Sequence, residues 1–221
     1  MAAVSGFMKR VPYFADLGEA EIESVAARVV ERGFSKGEVI FLEGRPCEGV
    51  YLVVSGQVRI YKVSPEGREQ VLLVAGPGET FNEVPVFDGG PNPATAEALE
   101  PAVLYLLPRD DLLALAAAYP AIGQGIMRVF ASHLRHLTSL VEDLSFRNVR
   151  SRVAKALLKW EDGQASGRET PRLTHKQIAA LAGTAREVVG RVVKSLEDQG
   201  ALTIEHGHIV RVDREKLIDV M

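Results

Sequence analysis

Arg186, Glu187 and Arg191 have side-chain types and spacing suited to reading the edges of base pairs. An arginine can take O6 and N7 of guanine in a bidentate grip, and a glutamate can accept from N4 of cytosine. Arg191 follows Glu187 by four positions and Arg186 by five, so on a helix the three share roughly one side. By themselves they describe a solvated helix face with one Glu–Arg pair just as well. The neighbouring residues change the balance. Thr174 with Gln177 three positions on is a capping box, which starts a helix whose Ile178, Ala179 and Leu181 face a core. Gly183 supplies the left-handed residue of a tight turn. Thr184 or Ala185 opens a second helix with Val188, Val189, Val192 and Leu196 inward. The runs 201–204 and 208–212 flank Glu205-His206-Gly207 and read as a hairpin. Two helices about a glycine turn, followed by such a wing, make base readout the better reading, because the first turns of a recognition helix are where base edges are met.

These elements occupy the last third of a 221-residue chain with one cysteine and a net charge of −3. Composition excludes a disordered chain, a collagen and a disulfide scaffold. Neither a signal peptide pattern nor a run of about 18 apolar residues is present, so a soluble, cytoplasmic protein with no membrane association is expected. The charge is uneven. Residues 1–146 hold 12 Lys+Arg against 19 Asp+Glu, giving −7, while residues 147–221 hold 14 against 10, giving +4. The basic surplus lies with the two helices and the wing.

Upstream, residues 11–28 read as a short helical entry, with Leu17, Ile22, Val25, Ala26 and Val29 at helical spacing. Between Gly33 and Leu107, short β runs at 38–41, 49–54, 57–63, 70–74 and 103–107 alternate with glycine and proline breakers, as in a roll or barrel. After Pro108 the pattern is helical, and Pro120 opens a long helix. Along it Ile126, Phe130, His133, Leu137, Leu140 and Leu144 recur at 4, 3, 4, 3, 4, with Met127, Leu134 and Val141 one position round. One stripe would face the strands and the other a second copy of the chain, and the first-named six are taken as the dimer seam. His133 would then be a polar seam residue able to titrate near neutral pH.

The run Arg186-Glu187-x-Val189-Gly190-Arg191-x-x-Lys194-x-Leu196-Glu197-Asp198-Gln199 closely resembles the Crp/Fnr family of bacterial transcription factors. The order of strand-rich sensor, long helix and winged helix-turn-helix agrees over nearly the whole chain. The resemblance implies that Arg186, Glu187 and Arg191 read a TGTGA-like half-site. Lys194, Lys176, Arg172, Thr184 and His206 are candidates for backbone contacts, which position without specifying. Ala185 departs from the family's common phosphate-touching serine.

The resemblance also implies a phosphate cassette, Gly-Glu followed later by Arg-Ser/Thr-Ala, in which the arginine neutralises a cyclic phosphate and the glutamate takes the ribose 2′-hydroxyl. Here Glu83 and Ala94 match, but Asn82 replaces the glycine and Asn92-Pro93 stands where Arg-Ser is expected. No Lys or Arg lies between Arg68 and Arg109, leaving Arg59, Arg128 or Arg135 as remote substitutes. The helix residues that meet adenine in the family fall at Leu137 and Thr138, and Leu137 cannot hydrogen-bond a base. Asn82, Glu83, Val84, Asn92, Ala94, Thr95, Leu137 and Thr138 are therefore the candidate effector pocket, with cyclic AMP not expected in the usual manner. One cysteine excludes the family's iron–sulfur cluster. Haem has only His133 and His136 as histidine ligands before residue 175, and such helix histidines are more often structural. Cys47 reads as an incidental thiol.

The expectation is an α+β chain: an N-terminal β-roll of cyclic-nucleotide-binding, jelly-roll type over 1–119, a long dimerisation helix over 120–146, and a C-terminal winged helix-turn-helix over 147–221. It would act as a homodimeric, non-enzymatic regulator whose partners are double-stranded DNA and RNA polymerase. The alternative is a nucleotide-sensing regulatory subunit whose last domain binds protein. No nucleophile–base pair, metal-ligand spacing or phosphate loop supports catalysis.

Overall fold

A computed structural model describes residues 2–165, 173–205 and 208–221. Two short helices, α1 (Ala2–Met8) and α2 (Glu19–Ala26), precede the strands β1 (Val30–Phe34), β2 (Val39–Phe41), β3 (Gly49–Ser55), β4 (Val58–Val63), β5 (Glu69–Ala75) and β6 (Thr80–Phe81). Helix α3 (Glu83–Asp88) interrupts before β7 (Thr95–Ala98) and β8 (Ala102–Pro108). Helices α4 (Arg109–Ala118), α5 (Pro120–Phe146), α6 (Val149–Ala165), α7 (His175–Ala182) and α8 (Arg186–Asp198) follow. The hairpin β9 (Leu202–Glu205) and β10 (His208–Val212) and the short α9 (Arg214–Asp219) complete the chain.

By contacts the chain forms two units, Met1–Lys62 with Leu72–Leu137, and Val63–Val71 with Thr138–Met221. The division runs inside α5, and the tip of the β4–β5 hairpin goes with the helical unit.

In the first unit the glycine-punctuated runs become two four-stranded sheets, ordered β1-β8-β3-β6 and β2-β7-β4-β5. Their facing sides bury Val53, Val58, Ala96, Ala98 and Leu104 around a Tyr51–Phe81 stack with ring centroids 5.3 Å apart. A second core lies under the helices, where Phe14, Ile22, Leu107, Leu112, Leu115, Ile122 and Ile126 are buried. The entry helix expected over 11–28 is confined to α2. The preceding Val11, Tyr13 and Phe14 are buried all the same, in irregular backbone tied by Phe14 N donating to Val11 O. Strand β1 escaped the sequence pattern because Glu31 and Arg32 sit in its middle, on the exposed edge of a sheet.

Along helix α5 the two apolar stripes are buried to different degrees within one protomer. Ile126 is 4% exposed, Phe130 packs on the core and edge-on to Phe87, and His133 faces Glu83. That stripe is claimed by the strand unit at its N-terminal half. The stripe one position round is the open one, with Met127, Leu134 and Val141 64%, 64% and 62% exposed. Leu137 and Leu144 are each 41% exposed beside it and Leu140 is half-buried. A 3.5-residue repeat fits both stripes equally, and only the packing of the strands decides between them. Near its start α5 passes so close to the N-terminal segment that a Cβ on Gly125 would lie 2.7 Å from Pro12 O and 2.8 Å from Tyr13 Cα.

The second unit has its own core of Val153, Leu157, Ile178, Val189, Val193, Leu196, Leu202, Ile209 and Leu217.

Candidate DNA-reading helix and sensor cassette

Helix α7 begins as its sequence requires. Gln177 N donates to Thr174 Oγ1 at 3.3 Å, and Thr174 N donates to Gln177 Oε1 at 2.9 Å. It ends at Gly183, whose φ of 61° is left-handed. A Cβ there would also crowd the ends of the Gln70 and Leu144 side chains, which could shift, so it is the left-handed conformation that favours glycine. Ala185 is the residue before α8 and offers no side-chain cap, and Thr184 lies in the turn, half-buried.

Helix α8 buries Val189, Val193 and Leu196, with Val188 and Val192 partly covered. Val193 was missing from the inward set expected from sequence. The opposite face carries Arg186, Glu187, Arg191 and Lys194, all exposed. Among the described residues none of these four forms an ion pair, so the Glu187–Arg191 pair of a merely solvated helix is not made. Lys176, at the start of α7, instead pairs with Glu69 at 3.0 Å while staying 70% exposed. Arg172 and His206 lie outside the described residues.

One positioning residue was not singled out from sequence. Arg152 on α6 donates from Nε to Ala182 O at 2.8 Å and from Nη1 to Arg147 O at 2.7 Å. A cation at a helix C-terminus satisfies a carbonyl that has no partner within the helix, and here it fixes the turn that sets α7 against α8. Its signal in the sequence is only an arginine on an amphipathic helix, without indication of which helix end it meets.

The sensor candidates separate into two groups. Glu83 is 4% exposed, and Tyr13 donates to its Oε1 at 2.5 Å while Thr80 donates to the Tyr13 hydroxyl at 3.0 Å. His133 Nδ1 stands 3.9 Å from the other carboxylate oxygen. Burial, then the neighbouring Glu83 charge, pushes the Tyr13 pKa well above the ordinary tyrosine value. The carboxylate that the family pattern assigns to a ribose hydroxyl is thus already engaged.

Asn82 and Asn92 form the other group. Asn82 is left-handed, φ 75°, and its amide donates to Gly49 O at 3.2 Å and Asn92 Oδ1 at 3.1 Å. Asn92, 2% exposed, donates to Leu42 O and Pro46 O, both at 3.4 Å. Ala94 and Thr95 are buried, and Thr95 Oγ1 accepts from Glu43 N at 3.1 Å. Val84 is 48% exposed, and Leu137 and Thr138 are exposed on α5.

Of the remote cations, Arg59 pairs with Glu97 at 2.9 Å and Arg128 with Asp16 at 2.5 Å. Burial pushes the Cys47 thiol up, which disfavours the reactive thiolate.

A strand roll with a cyclic-nucleotide cassette, a long helix and a winged helix-turn-helix define a DNA-binding transcription regulator built around a sensor. Residues 31–119 match the family model of the cyclic nucleotide-binding domain, and residues 151–220 that of the Crp-like helix-turn-helix domain. The chain belongs to the Crp/Fnr family. It is 36% identical to the Cyclic AMP receptor protein of Thermus thermophilus over 91% of this chain and 93% of that protein. It is 31% identical to the CRP-like cAMP-activated global transcriptional regulator of Mycobacterium tuberculosis, over 95% and 96%. In fold it is similar to a crp/fnr-family regulator from Eubacterium rectale, with a TM-score of 0.81 over 96% of this chain and 98% of that one at 24% identity. Among the described residues no single helix is long and apolar enough to cross a membrane.

Proposed function

We propose that this regulator is a cytoplasmic homodimer that reads a TGTGA-like palindrome and recruits or contacts RNA polymerase there. Two copies joined along the Met127, Leu134 and Val141 stripe of α5 set two α8 helices in successive major grooves, about 34 Å apart. Arg186 and Arg191 take guanines, and Glu187 takes a cytosine. Lys194, Lys176, Arg172, Thr184 and His206 serve as backbone contacts. The observation that carries the reading is the exposed α8 face, where both arginines, Glu187 and Lys194 lack ion-pair partners among the described residues.

The sensor does not take cyclic AMP in the family's usual manner. Two relatives are named for that nucleotide, but here the phosphate-binding arginine is Asn92, Pro93 removes a backbone donor and Glu83 is held by Tyr13. Haem and an iron–sulfur cluster form no part of this reading. A gel shift on a TGTGA palindrome tests both halves. Tight binding at moderate salt, unchanged by millimolar cyclic AMP, is expected. Equal affinity for random duplex overturns the first half, and strong activation by cyclic AMP overturns the second.

A further inference from the structure

The cassette lacks a cation within its own segment, yet the fold brings one to it from β2–β3. Gly44 N donates to Asn92 O at 2.8 Å and Asn92 N donates to Arg45 O at 2.9 Å, so two backbone bonds fix Arg45 beside the position where the family pattern carries arginine. Beside them is a cavity of about 400 Å³, within the range of small-molecule sites. Phe41, Leu42, Pro46 and Tyr51 give it apolar walls, while Arg45, Glu48, Asn82 and Asn92 supply its polar groups. Glu83 is not part of its lining.

We propose that this cavity binds a small monoanion with an apolar body, its charge held by the Arg45 guanidinium. The charge balance favours an anion. Glu48, the one carboxylate in the lining, is neutralised by Arg32 at 2.8 Å. Arg45 is exposed and forms no ion pair among the described residues, so the cavity carries one uncompensated positive charge. Asn82 Nδ2 donates to Gly49 O and Asn92 Oδ1, and Asn92 Nδ2 donates to Leu42 O and Pro46 O, so both amides spend their hydrogens within the protein. With those hydrogens spent, the guanidinium of Arg45 is left as the charged donor for a ligand. The left-handed Asn82 is the only non-glycine residue with positive φ among the described residues, and such strain is held where surrounding bonds over-determine it. A single cation with apolar walls suits a carboxylate on a ring or short chain, and gives no grip on a polyphosphate.

The site supplies the effector that the proposed function leaves unnamed, and it rests on the reading that this effector is not cyclic AMP. Calorimetric titration of the full chain with benzoate, and with neutral benzamide of the same shape, tests it without DNA. Saturable benzoate binding is expected, with benzamide and Arg45→Gln each weaker by about tenfold or more, the worth of one charge-assisted bond, and with Arg45→Lys intermediate. Arg45 is exposed, so the variants should melt as the parent does. No saturable binding of benzoate, equal binding of benzamide, or unchanged affinity in Arg45→Gln overturns the proposal. A parallel gel shift without benzoate separates the two readings, since loss of DNA binding there counts against the proposed function and leaves the cavity result standing.

Discussion

The face of α8 and the cassette between β6 and β7 treat their polar side chains in opposite ways. On α8, Arg186, Glu187, Arg191 and Lys194 stand in solvent without ion pairs, although Glu187 and Arg191 are spaced to pair. In the cassette, Glu83, Asn82, Asn92 and Thr95 are all bonded to other parts of the same unit. An exposed ion pair forgone costs only a few tenths of a kcal/mol, so a surface can keep its charges open for an outside partner at little expense. A buried carboxylate without a donor costs far more, and here the interior supplies Tyr13 as its partner. Residue type marks where a family places its chemistry. The bonding state of those residues decides whether the chemistry is available.

The largest test of this contrast is Leu134→Glu, which sets like charges along the open α5 stripe. Sedimentation should show a monomer, and affinity for a full palindrome should fall about a hundredfold or more because the second half-site no longer binds as part of the same complex. A dimer of unchanged affinity would return the seam to the Ile126 stripe. Next comes Arg186→Ala, which should cost about 1–3 kcal/mol on the cognate duplex and relax preference at one base pair. Equal loss on specific and random DNA would make Arg186 a phosphate contact. The smallest effect concerns the engaged carboxylate. Tyr13 has a raised pKa in the fold, so its contribution to stability is whole below the unfolded tyrosine value near 10 and is lost as pH rises beyond it. Urea melts of Tyr13→Phe should show a loss of about 1 kcal/mol at pH 8 that shrinks by pH 10.5. A loss that is constant with pH would mean that the fold does not raise the Tyr13 pKa above its unfolded value.

The DNA-reading unit was readable in sequence because its determinants are local. The Thr174–Gln177 box, Gly183 and the i, i+4 spacing on α8 each act within a few residues, and each appears in the structure. The strand runs were readable for the same reason, while β1, β6, β7 and α3 were missed because short, partly charged segments carry little periodicity. The sensor's chemistry depends on contacts distant in sequence. Tyr13 meets Glu83 across 70 positions, and Asn82 meets Gly49 across 33. Arg45 likewise meets the cassette only through a backbone pairing of two loops, 47 positions from Asn92. On α5 two equivalent stripes share the heptad spacing, and which of them the strands cover depends on contacts distant in sequence.

The close pass of Gly125 over Pro12 and Tyr13 has a mechanical consequence. A slide of α5 by one residue would turn it by about 100° and carry the side chain of Gln124 or Ile126 into a gap that holds only a hydrogen atom. Screw-like travel of the helix is therefore blocked at that crossing as long as the N-terminal segment stays in place.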